Sequence, residues 1–181
     1  MKLTEKTLER NDRYRGRILT FHVDKAELEN GRVVTRECID HPGGVCVAAL
    51  TADNGLYFVR QYRYPYHEVV LELPAGKLEK GEDPLGAGKR ELREETGVAG
   101  GNYVDCGRLY PSPGYTNEII YLYACRASSR GGNHLDEGEF LEAEVIPLAK
   151  AVEMVLSGGI VDAKTQVLVL KTERLLREGK L

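Results

Sequence analysis

The run 76–98, GKLEKGEDPLGAGKRELREETGV, gathers acids that could do chemistry in this chain. On a helix, Glu91, Glu94 and Glu95 fall at i, i+3 and i+4, on one side. Three carboxylates on one face are an oxygen-only donor set. Such a set suits Mg²⁺ or Mn²⁺, not zinc, which prefers nitrogen and sulfur ligands. The competing reading is a solvated charged face. The like pair Glu91–Glu95 destabilises a helix by roughly 0.2–0.5 kcal/mol, and Arg90–Glu94 offsets a similar amount. Glu94 and Glu95 also stand near the C-terminal end of the helix, where its dipole disfavours anions. A divalent cation would relieve both problems. Residue types alone leave metal site and surface helix open.

Other chemistries find less support. Cys38, Cys46, Cys106 and Cys125 have no CxxC spacing, and no histidine stands at ligand spacing from them along the chain. They read as free thiols of a reducing, cytoplasmic compartment. No GxSxG elbow appears, and His22, His41, His67 and His134 have no recognisable partners, which disfavours a serine or cysteine hydrolase. The net charge of −3 supplies no field to recruit nucleic acid. No run approaches 18 apolar residues and no apolar leader follows the first lysine, so neither a membrane span nor secretion is expected.

The acids need a helix from Asp83 to Thr96. Asp83 can cap it, Pro84 suits its first turn, and Gly97 can stop it. Gly86 and Gly88 cost about 0.8–1.0 kcal/mol each against alanine, acceptable where a backbone must approach closely. Asn30-Gly31 and Asn54-Gly55 mark two hairpins between Val-, Thr- and Tyr-rich strands. EVVLELPAG reads as one strand ended by Pro74 and Gly76. NYVDCGRLY, NEIIYLYACRA and LEAEVIPL read as further strands. SSRGGNHLDEGEF reads as a loop. PLAKAVEMVLSGG and DAKTQVLVLKTERLLREGK read as helices, the second with Val167, Leu170 and Leu175 near helical spacing. Locally paired strands with helices between and after them give an α+β class. The first hairpin, up to about residue 42, belongs either to the main sheet or to a small sheet of its own.

The spacing then becomes decisive. Gly76, five residues, Glu82, seven residues, Arg90-Glu91-Leu92, one residue, Glu94-Glu95, one residue, Gly97-Val98: this resembles the box of the Nudix hydrolases at every fixed position. The resemblance implies a Nudix fold, an α/β/α sandwich with a mixed sheet, preceded by an N-terminal antiparallel β-hairpin arm. It implies Glu91 and Glu95 as metal ligands with the Ala75 carbonyl, and Glu94 as support or occasional ligand. Gly76, Glu82, Arg90 and Gly97 then shape the box. The implied cofactor is Mg²⁺, with Mn²⁺ as the alternative.

Further segments resemble the ADP-ribose pyrophosphatase subfamily. PSPGYTNE carries Pro113 sixteen residues past Gly97, and RECIDHPGGV, VRQYRYP, ELPAGKLEKGE and VDAKT also fit. The resemblance implies hydrolysis of ADP-ribose to AMP and ribose 5-phosphate. It implies substrate contacts from Arg36 and Arg63, from Arg17 or Ile18 against the adenine, and from Ser112, Pro113 and Gly114. In LDEGEF it implies Glu137 as base, with Asp136 as rival, and Glu139 as a further ligand. It also implies a homodimer whose residues 1–42 are exchanged arms, followed by a hydrolase domain over 43–181. Alternatives are a Nudix hydrolase of another sugar nucleotide such as GDP-mannose, of flavin or dinucleoside substrates, or a module that binds ADP-ribose without cleaving it. Such modules usually lose box carboxylates, and this chain keeps them.

Overall fold

A computed structural model describes residues 2–131 and 140–181. The chain divides into two compact units, one running up to Gly43 with Tyr110–Ile119, the other comprising Gly44–Leu109 with Ile120–Leu181.

The first unit is an antiparallel sheet of four strands, separate from the main sheet. The Asn30-Gly31 hairpin is present as β3 (Thr20–Glu27) and β4 (Val33–Asp40). Gly31 sits at φ 78°, a conformation that favours glycine. Two strands that the charged stretch KTLERNDRYR does not announce, β1 (Lys6–Glu9) and β2 (Asp12–Arg15), share the other edge of β3. The PSPGYTNE segment adds to this unit. The Ile39 N–H donates to the Tyr115 carbonyl at 2.7 Å, and the Asn117 N–H donates to the Ile39 carbonyl at 3.1 Å.

The second unit holds the mixed sheet of seven strands. These are β5 (Gly44–Leu50), β6 (Gly55–Arg63), β7 (Glu68–Glu72), β8 (Ala75–Lys77), β9 (Val98–Leu109), β10 (Ile120–Arg130) and β11 (Leu141–Pro147). Its path is β11-β6-β5-β10-β9, with β7 on β6 and β8 on β5. Only β5 and β10 run parallel. Every residue of β5 is buried, and its alternation explains why. Cys46, Ala48 and Leu50 enter one apolar cluster, while Val45, Val47 and Ala49 enter the other. Helix α1 (Pro84–Thr96) supplies Ala87 and Leu92 to the second cluster, and α2 (Leu148–Leu156) and α3 (Ala163–Arg177) cover the first. The unit is therefore an α/β/α sandwich, as expected.

Three readings need correction. EVVLELPAG forms two strands, not one. Pro74 carries no N–H and interrupts the ladder, and its carbonyl accepts from Val47 at 2.9 Å before β8 pairs with β5. On α3, Val167 and Leu175 pack against the first cluster as expected, but Leu170 is exposed and the buried positions are Thr165, Leu168, Val169 and Thr172. Close approach explains Gly88 but not Gly86. A Cβ on Gly88 would lie 3.1 Å from Val45 Cγ2 and Val47 Cγ2, whereas on Gly86 it would meet nothing nearer than Asp83, at 3.6 Å. Gly86→Ala should therefore stabilise the fold by up to about 1 kcal/mol with activity unchanged. Gly88→Ala should lower Tm. Thermal unfolding of the two variants checks the contrast.

Candidate active site

Helix α1 starts and stops as its sequence demands. The Asp83 carboxylate accepts from the Gly86 N–H at 2.8 Å, Pro84 opens the first turn, and Gly97 closes it at φ 71° with its N–H on the Arg93 carbonyl. This fixes the phase of the acids. Glu82, Glu91 and Glu94 gather around one guanidinium. Arg90 Nε and Nη2 donate to the two Glu82 oxygens, both at 3.0 Å. Arg90 Nη1 donates to Glu91 Oε1 at 2.8 Å and to Glu94 Oε2 at 3.0 Å, and Nη2 reaches the Lys77 carbonyl at 3.3 Å. Glu82 also accepts the Glu79 N–H at 2.9 Å, tying the loop before α1 to the same centre. The Arg90 bond holds the Glu82 carboxyl below the usual carboxylate range, and Glu82 in turn raises Arg90.

The glycine loop closes onto this helix. An added Cβ on Gly76 would lie 2.0 Å from Glu91 Cδ and Oε1, so only glycine leaves room for that carboxylate. One turn on, Glu95 is 3% exposed and its Oε2 accepts the Ala75 N–H at 3.0 Å. Strand β8 holds both loop residues, pairing Ala75 with Cys46 and Gly76 with Val45. Glu91 and Glu95 thus stand against Gly76 and Ala75 at the start of β8, and Glu94 joins Glu91 through Arg90, so the acids offer carboxylate oxygens only. That donor chemistry fits a hard divalent cation.

A second charged network adjoins β8. Glu72 ends β7 at 2% exposure. Arg63 Nε donates to its Oε1 at 2.5 Å and Nη2 to its Oε2 at 2.7 Å. Lys164 Nζ donates to Glu72 Oε2 and, at 2.9 Å, to Asp162 Oδ1. Burial pushes the Glu72 carboxyl up, but the two cations outweigh it and hold it below the usual range.

The NUDIX domain profile matches residues 40–168. The chain belongs to the Nudix family. It is 38% identical over 165 residues to an ADP-ribose pyrophosphatase of Bacillus subtilis, covering 90% of this chain and 89% of that protein. It is 40% identical over 167 residues to a methanol dehydrogenase activator of Bacillus methanolicus, covering 91% and 90%. A GDP-mannose pyrophosphatase of Salmonella typhimurium is 33% identical over 164 residues, covering 81% and 84%.

In this Nudix chain the box residues Gly76, Glu82, Arg90, Glu91, Glu94, Glu95 and Gly97 come together with Ala75 in the second unit, which also carries Arg63. Arg36 lies in the first unit, where Glu5 grips it at 2.9 and 2.7 Å. Arg17 and Ile18 occupy the bend between β2 and β3, both exposed. Ser112, Pro113 and Gly114 form a turn whose Ser112 carbonyl accepts from Tyr115 and Thr116. Asp136, Glu137 and Glu139 lie outside the described residues.

Sequence reading missed several partners. Asn117 Oδ1 accepts the His41 N–H at 2.8 Å and its Nδ2 donates to Asp40 at 2.8 Å, joining the HPG segment to PSPGYTNE. Nor are the described histidines partnerless, while His134 lies outside the described residues. His22 Nδ1 pairs with Asp24 at 2.8 Å, and His41 Nδ1 accepts from the Gly43 N–H at 3.1 Å. His22 also stands opposite Cys38 across β3 and β4. His22, Asp24 and Cys38 are the one group of three or more among the described residues whose His, Cys and carboxylate ligand atoms all lie within 4.8 Å of one another. Each cysteine is a free thiol. Burial pushes Cys125 up to about 12 and also raises Cys46 and Cys106, so none of the three is poised as a nucleophile. Among the described residues, no helix is long and apolar enough to cross a membrane.

Proposed function

We propose that this protein hydrolyses the diphosphate of ADP-ribose to AMP and ribose 5-phosphate with Mg²⁺, or with Mn²⁺ in its place. The observation that carries the reading is the clamp of Gly76 and Ala75 onto Glu91 and Glu95 around Arg90. The relative of Bacillus subtilis named an ADP-ribose pyrophosphatase, aligned along nearly the whole chain, supports the substrate.

In this reading Glu91, Glu95 and the Ala75 carbonyl hold the cation, with Glu94 and Glu139 as further ligands. A bound divalent cation offsets the negative charge of the diphosphate. Arg36 and Arg63 bind phosphate oxygens through their planar forks. Arg17 or Ile18 of a partner's arm lies on the adenine, and Ser112, Pro113 and Gly114 line the substrate. Glu137 takes a proton from the attacking water. The water oxygen bonds to one phosphorus while that phosphorus loses the bridging oxygen, which leaves with the other phosphate. The two products account for every atom of ADP-ribose and water. Gly76, Glu82, Arg90 and Gly97 keep the acids in place.

The reading includes a homodimer that exchanges residues 1–42 as arms beside a hydrolase domain over 43–181, and a cytoplasmic setting. Exposed Leu8, Tyr14, Ile18 and Val33 in the first unit support the dimer, and light scattering tests it. The free cysteines support the setting.

Incubation with ADP-ribose and Mg²⁺, followed by product identification, tests the activity. AMP with ribose 5-phosphate is the expected result. Turnover of GDP-mannose in preference to ADP-ribose would reassign the substrate, in line with the Salmonella relative. Glu137→Gln should lower kcat by about a hundredfold or more while Mg²⁺ still binds. Unchanged turnover in that variant moves the base to Asp136.

A further inference from the structure

The box explains the acids but not the buried charges beside them. Glu72 is almost fully enclosed at the end of an apolar strand, and three charged neighbours converge on it or on its partner. Asp162 serves the network twice. Its Oδ1 accepts from Lys164, and its Oδ2 accepts the Thr165 N–H at 2.9 Å as the cap of α3. The Thr165 hydroxyl accepts the Leu73 N–H at 2.9 Å. Residues 72 to 75 are therefore pinned in succession, at Glu72 by Arg63 and Lys164, at Leu73 by Thr165, and at Ala75 by Glu95.

The geometry at Arg63 is specific. Glu72 takes one side of the guanidinium, using Nε and one Nη2 hydrogen. Nη1 has no described partner among the described residues, and the side chain is 39% exposed. A guanidinium clamped by one edge loses most of its rotational freedom. Its remaining edge then offers parallel donors that match two phosphate oxygens. A buried ion pair is by itself weak evidence for stability, since apolar residues of like volume often serve as well. Holding a direction is a task that apolar residues cannot perform.

We propose that Glu72 and Lys164 are positioning residues for the substrate: they fix Arg63 by one edge so that its other edge meets a phosphate of the nucleoside diphosphate. Lys164 acts at one remove, steadying the Glu72 carboxylate against Asp162 and the first turn of α3. This assigns a role to the VDAKT segment. The inference rests on the reading of Arg63 as a substrate residue.

A double-mutant cycle on the full chain with Mg²⁺ and ADP-ribose tests it, with Tm measured for each variant. Arg63→Ala and Glu72→Gln should each raise KM by about tenfold, with kcat held within about threefold, and the double variant should be no worse than Arg63→Ala alone. Lys164→Met should raise KM in the same sense and Lys164→Arg should restore it in part. If Glu72→Gln does not fold, Glu72→Asp runs the same cycle, because it keeps the charge and shortens the reach. A KM unchanged in the folded Glu72 variant while Arg63→Ala raises it overturns the inference and leaves the Arg63 reading intact. So does a Glu72 effect that persists in the Arg63→Ala background, which marks a merely structural role. A KM unchanged in Arg63→Ala removes the reading of Arg63 and the inference with it.

Discussion

Glu95→Gln is expected to lower kcat by roughly two to three orders of magnitude, the size seen when one electrostatic stabiliser of a transition state is removed. The fold should survive. Glutamine keeps the length of the side chain, and its amide oxygen can still accept the Ala75 N–H that now bonds Oε2 at 3.0 Å. What disappears is the charge. Glu95 is 3% exposed and glutamine fills the same volume, so Tm should move little. Loss of turnover without loss of Tm is the signature of a ligand rather than a structural acid. Steady-state kinetics with titrated Mg²⁺, beside thermal unfolding, gives both numbers. Near-normal Mg²⁺-dependent turnover in a folded variant would sink the assignment of Glu95 as a ligand.

Gly76→Ala should be nearly as damaging to activity, from a single methyl group. Its Cβ would lie within 2.4 Å of all three atoms of the Glu91 carboxyl. Gly76 is not among the residues with positive φ, so alanine meets no backbone strain there. The atoms it displaces are the far end of a flexible side chain, so the fold can adapt at small cost. Glu91, however, must leave its position and its 2.8 Å bond from Arg90. A displacement of an ångström or so in a catalytic group costs about a hundredfold. Activity should therefore fall by about that factor while Tm moves little. If Gly76→Ala retains wild-type kcat, the location of Glu91 over the loop has no part in turnover.

What could be read without coordinates was local. The box spans one loop and one helix, so spacing alone carries the phase of Glu91, Glu94 and Glu95 and the cap, start and stop of α1. The two Asn-Gly hairpins were legible for the same reason. The networks that cross the fold were not. Lys164 meets Glu72 across 92 positions, and nothing in VDAKT names its partner. The one available hint was Glu72 itself, a carboxylate inside the apolar run VVLEL. His22 and Cys38 share the Asn30-Gly31 hairpin, but they face each other only because β3 and β4 pair in that register, which the turn alone does not spell out. Strands β1 and β2 escaped notice because KTLERNDRYR is mostly charged and largely exposed, leaving no alternation to read. Gly86 and Gly88 look equivalent in the sequence, but only one faces Val45 and Val47.

The parallel pairing of β5 with β10 also sets an order of events on the ribosome. Gly44 must find Ile120, and seven such pairs bind the two strands. The centre of the sheet cannot form until that late segment has been synthesised. Until then β5, whose every side chain is destined for the interior, has its hairpin neighbour β6 and the short β8 for company and one bare edge. A nascent chain stalled before residue 120 would present that edge to other stalled chains, an invitation to cross-strand aggregation. Truncations for expression should therefore keep β10.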